Sequence, residues 1–123
     1  MLKEKALYYY RKGYNCSQCI LKACESVYKI PISNQSMKLC SAVNNGFGIG
    51  SICSVLVSGI MIFGIMFYEV TAKKMRIKLL TMFNSKHSLD CMSLKKEFND
   101  GNCENIVGEI AQLIELIIDE ERN

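Results

Sequence analysis

The stretch "SICSVLVSGIMIFGIMFY" (residues 51–68) decides the fold, because it is the most apolar part of the 123-residue chain. No charged residue occurs between Lys38 and Glu69. About twenty apolar residues are enough to span a bilayer, so a small membrane protein is one interpretation. The stretch also contains three serines and two glycines, small residues that let helices approach closely inside a soluble bundle. We therefore expect a helix buried on all sides over residues 51–68.

The segments on both sides of this stretch have the periodicity of amphipathic helices. Helices are expected over residues 2–12, 16–28, 70–84 and 103–121, with a short helix after Ser33 or Asn34. Three glycines in "NNGFGIGS" (residues 44–51) predict a loop before the apolar stretch. No segment alternates as a strand would. The sequence thus predicts an all-α, single-domain helical bundle over residues 1–123, packed around a buried central helix.

Charge and composition limit the function and the compartment. A net charge of +3, with no aromatic residues interleaved among the lysines, does not indicate a nucleic-acid site. The first residues contain no apolar run long enough for a signal peptide, so a cytoplasmic location is expected. Seven cysteines in a reducing compartment are expected to be thiols, and an odd number cannot all pair within one chain.

Four of these cysteines lie where helices are predicted to begin. Three follow residues that favour the N-cap position, as Asn15–Cys16, Asp90–Cys91 and Asn102–Cys103. The fourth, Cys53, lies in the first turn after the glycine-rich loop. We call Cys16, Cys53, Cys91 and Cys103 the helix-start cysteines. Free amides and the helix dipole stabilise a thiolate at such positions, and the thiolate is the form that attacks disulfides and binds soft metals.

Cys16 and Cys19 form a CxxC motif and lie three residues apart, on nearly the same face of one helix. This spacing allows Cys16 to act as the attacking thiol and Cys19 as the resolving thiol. No βαβ pattern supports a thioredoxin fold, and no second CxxC motif indicates a zinc ribbon.

The remaining candidates are explained more simply by structure. Cys24 and Cys40 are expected to be core residues. His87 is the only histidine, and it is expected to be a loop residue with no special role rather than a metal ligand beside Cys91. "GFGIG" lacks both the preceding strand and the following Lys-Ser/Thr of a phosphate loop.

The order and spacing of several of these pieces are specific when they are taken together. They are "GYNCSQ" (residues 13–18), "GFGIGS" (residues 46–51), "CSVLVSGIMIFG" (residues 53–64), Cys91 and Cys103. This pattern resembles the C_GCAxxG_C_C family, small helical prokaryotic proteins whose name records their spaced cysteines. The resemblance covers about residues 13–107 and maps the four family cysteines onto the helix-start cysteines. It also implies a buried helix, not a membrane span, at residues 51–68. The chain departs from the family pattern at Ile52, Ser54 and Val55, where the family has small residues.

The resemblance implies redox activity, or a metal or cluster bound through cysteine. In the thiol alternative, a thiol-dependent oxidoreductase, Cys16 attacks and one of Cys19, Cys53 or Cys103 resolves, with a redox partner protein exchanging electrons. In the metal alternative, all four helix-start cysteines hold a metal ion or an iron–sulfur cluster. A third alternative is a non-catalytic interaction protein whose cysteines merely pack. The remaining apolar surface is consistent with a homodimer.

Overall fold

The computed structural model describes residues 1–99 and 103–123, and the predicted all-α fold is confirmed in them. The helices are α1 (Leu2–Arg11), α2 (Gln18–Tyr28), α3 (Asn34–Leu39), α4 (Ser54–Met66), α5 (Glu69–Asn84), α6 (Cys91–Phe98) and α7 (Glu104–Arg122). A short π-helical turn, Gly46–Gly50, lies between α3 and α4. Within the described ranges, the extended backbone pairs at one isolated antiparallel bridge, between Ile52 and Asp90.

Helix α4 occupies the centre of the bundle and packs against α2, α5 and α7. It is shorter than predicted, because residues 51–53 are outside it and Ile52 pairs with Asp90 instead. The prediction that it is buried on all sides is wrong at its second half, where Ile65 is 49% exposed. Ile62 and Phe63 are fully buried. Among the helices of the described residues, none is both long and apolar enough to cross a membrane.

Helix α2 begins at Gln18, two residues later than predicted, but Asn15 still caps its first turn. The Asn15 Oδ1 atom accepts hydrogen bonds from the amides of Ser17 and Gln18, at 3.0 Å and 2.9 Å. In return, the Gln18 Oε1 atom accepts from the Asn15 amide at 3.2 Å. This reciprocal arrangement is a capping box. The Cys19 amide also donates to the Asn15 carbonyl at 3.0 Å, so residues 15–18 form the capped turn that opens α2, and Cys16 lies in this first turn.

The glycine loop, residues 44–51, turns the chain sharply before α4. Positive φ angles occur in succession at Asn45, Gly46, Phe47 and Gly48. The Ser51 amide donates to the Gly46 carbonyl at 3.0 Å and closes the turn. A Cβ atom at Gly46 would lie 2.4 Å from the Ser51 carbonyl oxygen and 2.9 Å from the Cys91 Cβ atom, so only glycine fits there.

Helix α7 carries the apolar stripe that the sequence predicts, and most of that stripe is buried. Its buried residues are Ile106, Val107, Gly108, Ile110, Ala111, Ile114, Ile117 and Ile118. The helix approaches α4 closely at Gly59, where a Cβ atom would lie 2.7 Å from the Ile114 Cδ1 atom. Its acidic face meets basic neighbours: Lys78 pairs with Glu120 at 2.9 Å, and Arg11 pairs with Glu104.

Candidate redox site

The Cys16 side chain lies at the junction of α2, α4 and the glycine loop, and the residue is only 7% exposed. Its Sγ atom lies 3.1 Å from the Ser54 Oγ atom at the start of α4. The Cys103 thiol, from the start of α7, and the Asn45 amide, from the glycine loop, are close enough to this sulfur to lower its pKa. Three separate segments of the chain thus place polar groups around one sulfur atom.

These donors favour the thiolate form of Cys16. Its pKa is lowered from 9.0 to about 6, chiefly by the side-chain hydrogen bond from Cys103. The Ser54 hydroxyl and the Asn45 amide act in the same direction, whereas burial opposes them. Hydrogen bonds to the charged form outweigh desolvation here, which is the condition for an activated thiol.

Cys103 is the N-cap residue of α7 and is 8% exposed. Its amide donates to the Tyr10 hydroxyl oxygen at 3.1 Å, which ties the start of α7 to α1. The pKa of Cys103 is raised, first by its hydrogen bond to Cys16 and then by burial. The pKa values of the two thiols are shifted in opposite directions, so Cys16 ionises before Cys103. Asn102, the predicted capping residue, lies outside the described residues.

The bridge between Ile52 and Asp90 brings Cys53 and Cys91 to the same region. The Cys53 amide donates to the Leu89 carbonyl at 2.8 Å, and the Cys91 amide donates to the Ser51 carbonyl at 2.6 Å. Cys53 follows Ile52, and Cys91 follows Asp90. Because side chains alternate between the two faces of extended backbone, the two cysteines share one face of the bridge and lie diagonally across it.

The thiolates of Cys53 and Cys91 are not favoured, although both residues stand at helix starts as predicted. Burial raises the pKa of Cys53 to about 12, and the amides of Val55 and Leu56 oppose this only in part. Burial also raises the pKa of Cys91. The expectation that a helix start alone stabilises all four thiolates is therefore wrong. At Cys53 and Cys91 the cost of burying a charge is larger than the stabilisation by backbone amides, so the thiol form is favoured.

The helix-start cysteines nevertheless form one neighbourhood. The charge of Cys16 raises the pKa of Cys53, Cys91 and Cys103, so it acts electrostatically on each of the other three. Cys24 and Cys40 are buried outside this neighbourhood, as expected for core residues. The structure thus gathers the cysteines that the family spacing selects.

Cys19 is also close to Cys16 but is held differently. Its thiol donates to the Cys16 carbonyl oxygen at 3.2 Å, and the side chain is fully buried. Burial, with the charge of Cys16, raises the pKa of Cys19. Cys19 therefore stays a thiol whose hydrogen is already used by the backbone. Cys103 is therefore the better candidate for a thiol that interacts with the Cys16 sulfur, because Cys19 is not among the groups that lower the pKa of Cys16.

The predicted metal site does not fit this arrangement. Within residues 1–99 and 103–123, no three His, Cys, Asp or Glu side chains are grouped so that they could hold a metal ion.

Several site residues were missed by the sequence analysis. Ser54 was interpreted as a small packing residue, Asn45 as part of a loop and Tyr10 only as one position of the predicted first helix. Their roles depend on which segments meet in space, and no local pattern indicates that. His87 is a loop residue, as expected, and its ring lies between Phe83 and Phe98 with its Nε2 atom 2.7 Å from a Glu109 oxygen.

Comparison with known proteins agrees with the geometry. The family model described as "Putative redox-active protein (C_GCAxxG_C_C)" matches residues 14–117, which is most of the chain. This is a helical protein with cysteines gathered at helix starts, and it belongs to the C_GCAxxG_C_C family. No curated protein and no solved structure matches the sequence.

Proposed function

We propose that Cys16 and Cys103 form a redox-active thiol pair, and that the protein carries out two-electron dithiol–disulfide chemistry. The observation that carries this proposal is the buried site around Cys16, whose sulfur lies 3.1 Å from the Ser54 hydroxyl and whose pKa the nearby Cys103 thiol lowers. A nucleophile beside a protonated partner is the arrangement that dithiol oxidoreductases need.

The roles follow from this asymmetry. Cys16 attacks an oxidised sulfur or oxygen, and Cys103 then attacks Cys16 to form the intramolecular disulfide. Ser54 and the Asn45 amide hold the Cys16 sulfur in place and stabilise its charge before the attack. Cys53 and Cys91 surround the pair as thiols, and Cys19 is a buried thiol with no assigned step. Electrons would be exchanged with a redox partner protein, and a cytoplasmic location would keep the resting protein reduced.

The test is oxidation of the reduced protein followed by mapping of the disulfide. Incubation with a thiol oxidant such as diamide should link the peptides that contain Cys16 and Cys103, and reduced dithiothreitol should reverse this. The midpoint potential should fall in the range of catalytic dithiols, roughly −120 to −270 mV. A different pairing, or no pairing at all, would contradict the proposal. The C40S variant is the matched control, because the Cys40 thiol contacts Met61 and not Cys16. Only the backbone carbonyl of Cys40 bonds to the neighbours of Cys16, and the substitution leaves that carbonyl in place.

A further inference from the structure

The Cys16–Cys103 pair is closed off from solvent. The two residues are 7% and 8% exposed, and the glycine loop supplies the amide that contacts the Cys16 sulfur. The loop is closely packed at Gly46, where a Cβ atom would lie 2.4 Å from the Ser51 carbonyl oxygen and 2.9 Å from the Cys91 Cβ atom. Surface cavities of about 470 Å³ beside Tyr68 and about 460 Å³ beside Lys3 lie elsewhere, and neither is lined by a cysteine.

This enclosure limits the size of an oxidant. Thiol–disulfide exchange requires the attacking thiolate to reach a disulfide sulfur and pass through a mixed disulfide with the whole partner attached. A sulfur with so little exposed surface cannot hold a bulky partner unless the glycine loop moves away. The reacting end of a hydroperoxide is only an O–O–H group, so it needs far less space at the sulfur than a disulfide substrate does.

We infer that the oxidising substrate of the Cys16–Cys103 pair is a small hydroperoxide, an inference that rests on the proposed function. The geometry around the sulfur suits this substrate. The Ser54 hydroxyl, 3.1 Å from Cys16 Sγ, can turn to donate to the oxygen that leaves. Donors aimed at the position where charge develops are the usual source of such catalysis.

The chemistry balances in two steps. The Cys16 thiolate attacks the protonated oxygen of the hydroperoxide, the O–O bond breaks, and Cys16 becomes a sulfenic acid. The other oxygen leaves as an alkoxide or hydroxide and takes a proton through Ser54, which regains one from solvent. The Cys103 thiol then attacks the sulfenic sulfur, which forms the S–S bond and releases water. Two electrons pass from the thiol pair to the peroxide. The disulfide no longer offers a thiolate to the Asn45 amide, so the glycine loop is held less tightly in the oxidised protein and can open to admit a dithiol reductant, which restores the pair.

The inferred substrate is tested by comparing two oxidants on the same reduced protein. Hydrogen peroxide and oxidised glutathione are mixed separately with the full chain, and formation of the Cys16–Cys103 disulfide is followed by quenching and peptide mapping. Hydrogen peroxide should form one disulfide per peroxide consumed, with a second-order rate constant about 100-fold greater than that for oxidised glutathione. If oxidised glutathione reacts as fast or faster, the inference is wrong while the proposed function stands. If neither oxidant forms this disulfide, both fail.

Two variants sharpen the comparison. C103S should stop at a sulfenic acid on Cys16, seen as a mass increase of one oxygen atom, whereas C40S should form the disulfide as the wild-type protein does. S54A should slow the peroxide reaction about 10-fold, the value of one hydrogen bond, and leave the helical circular dichroism spectrum unchanged. A C103S protein in which Cys16 gains no oxygen atom after peroxide treatment would overturn the inference.

Discussion

The Sγ atom of Cys16 lies 3.1 Å from the Oγ atom of Ser54, and this contact joins the first turn of α2 to the first residue of α4. Both residues are almost fully buried. Ser58, one turn further along α4, donates to the Ser17 carbonyl at 2.8 Å and holds the same two helices together. The serines of the apolar stretch therefore have partners at the cysteine site, and their polarity serves the chemistry of Cys16 as well as helix packing.

The first prediction concerns the pH dependence of Cys16 alkylation. Because its pKa is lowered to about 6, the rate of reaction with iodoacetamide should be at its plateau above about pH 7. Below pH 6 the rate should fall about tenfold per pH unit, since the thiolate is the reactive form. The measurement is the pH of half-maximal labelling of the Cys16 peptide by mass spectrometry. A midpoint near 9 would contradict the assignment.

The same shift should appear in stability. The pKa of Cys16 is depressed in the folded state, so its contribution to the free energy of unfolding is complete above about pH 9 and is lost as the pH falls through about 6. As the pH rises from about 6 to about 9, the free energy of unfolding of the wild-type protein should therefore increase relative to that of C16S. A difference that stays constant across this window would show that Cys16 is an ordinary thiol.

A second prediction ranks the causes of the lowered pKa. Cys103 is the largest cause and Ser54 a smaller one, so C103A should raise the alkylation midpoint of Cys16 more than S54A does. Both midpoints should lie above that of the wild-type protein. C24S is the matched control, because Cys24 is buried in the core and no effect of it on Cys16 is expected. Equal midpoints for C103A and wild-type protein would remove the basis for pairing these two thiols.

The sequence allowed a correct prediction of the fold and of the positions of the cysteines, but not of their chemistry. Periodicity and capping patterns act over a few residues, so α7 and the cap at Asp90 were predicted closely. The choice of Cys16 as the thiolate depends on Cys103, which is distant in sequence, and no local pattern encodes that contact. The start of α4 was missed for a similar reason, since the bridge from Ile52 to Asp90 joins segments 38 residues apart.

A third prediction tests the metal alternative directly. Protein purified without oxygen should contain seven titratable thiols after denaturation and no stoichiometric zinc or iron, because the described cysteines do not group as metal ligands. The measurements are a thiol titration and elemental analysis on the same sample. One equivalent of zinc, or an iron–sulfur absorption band that disappears in C91S, would favour the metal site and contradict this expectation.

The last prediction concerns the glycine loop that covers Cys16. Replacing Gly46 by alanine places a Cβ atom 2.4 Å from the Ser51 carbonyl oxygen at a φ of +61°, so both a clash and backbone strain result. The free energy of unfolding, measured with urea, should fall by about 2 to 5 kcal/mol. Gly48 is the matched control: it also has a positive φ, but a Cβ atom there meets nothing within 4 Å. G48A should therefore cost only the strain, about 1 to 2 kcal/mol.

Since the Asn45 amide beside Gly46 lowers the pKa of Cys16, G46A should also raise the pH of half-maximal alkylation of Cys16, and G48A should leave it closer to the wild-type value. Equal losses of stability in the two variants would mean that the contact of Gly46 with Ser51 and Cys91 does not constrain the loop.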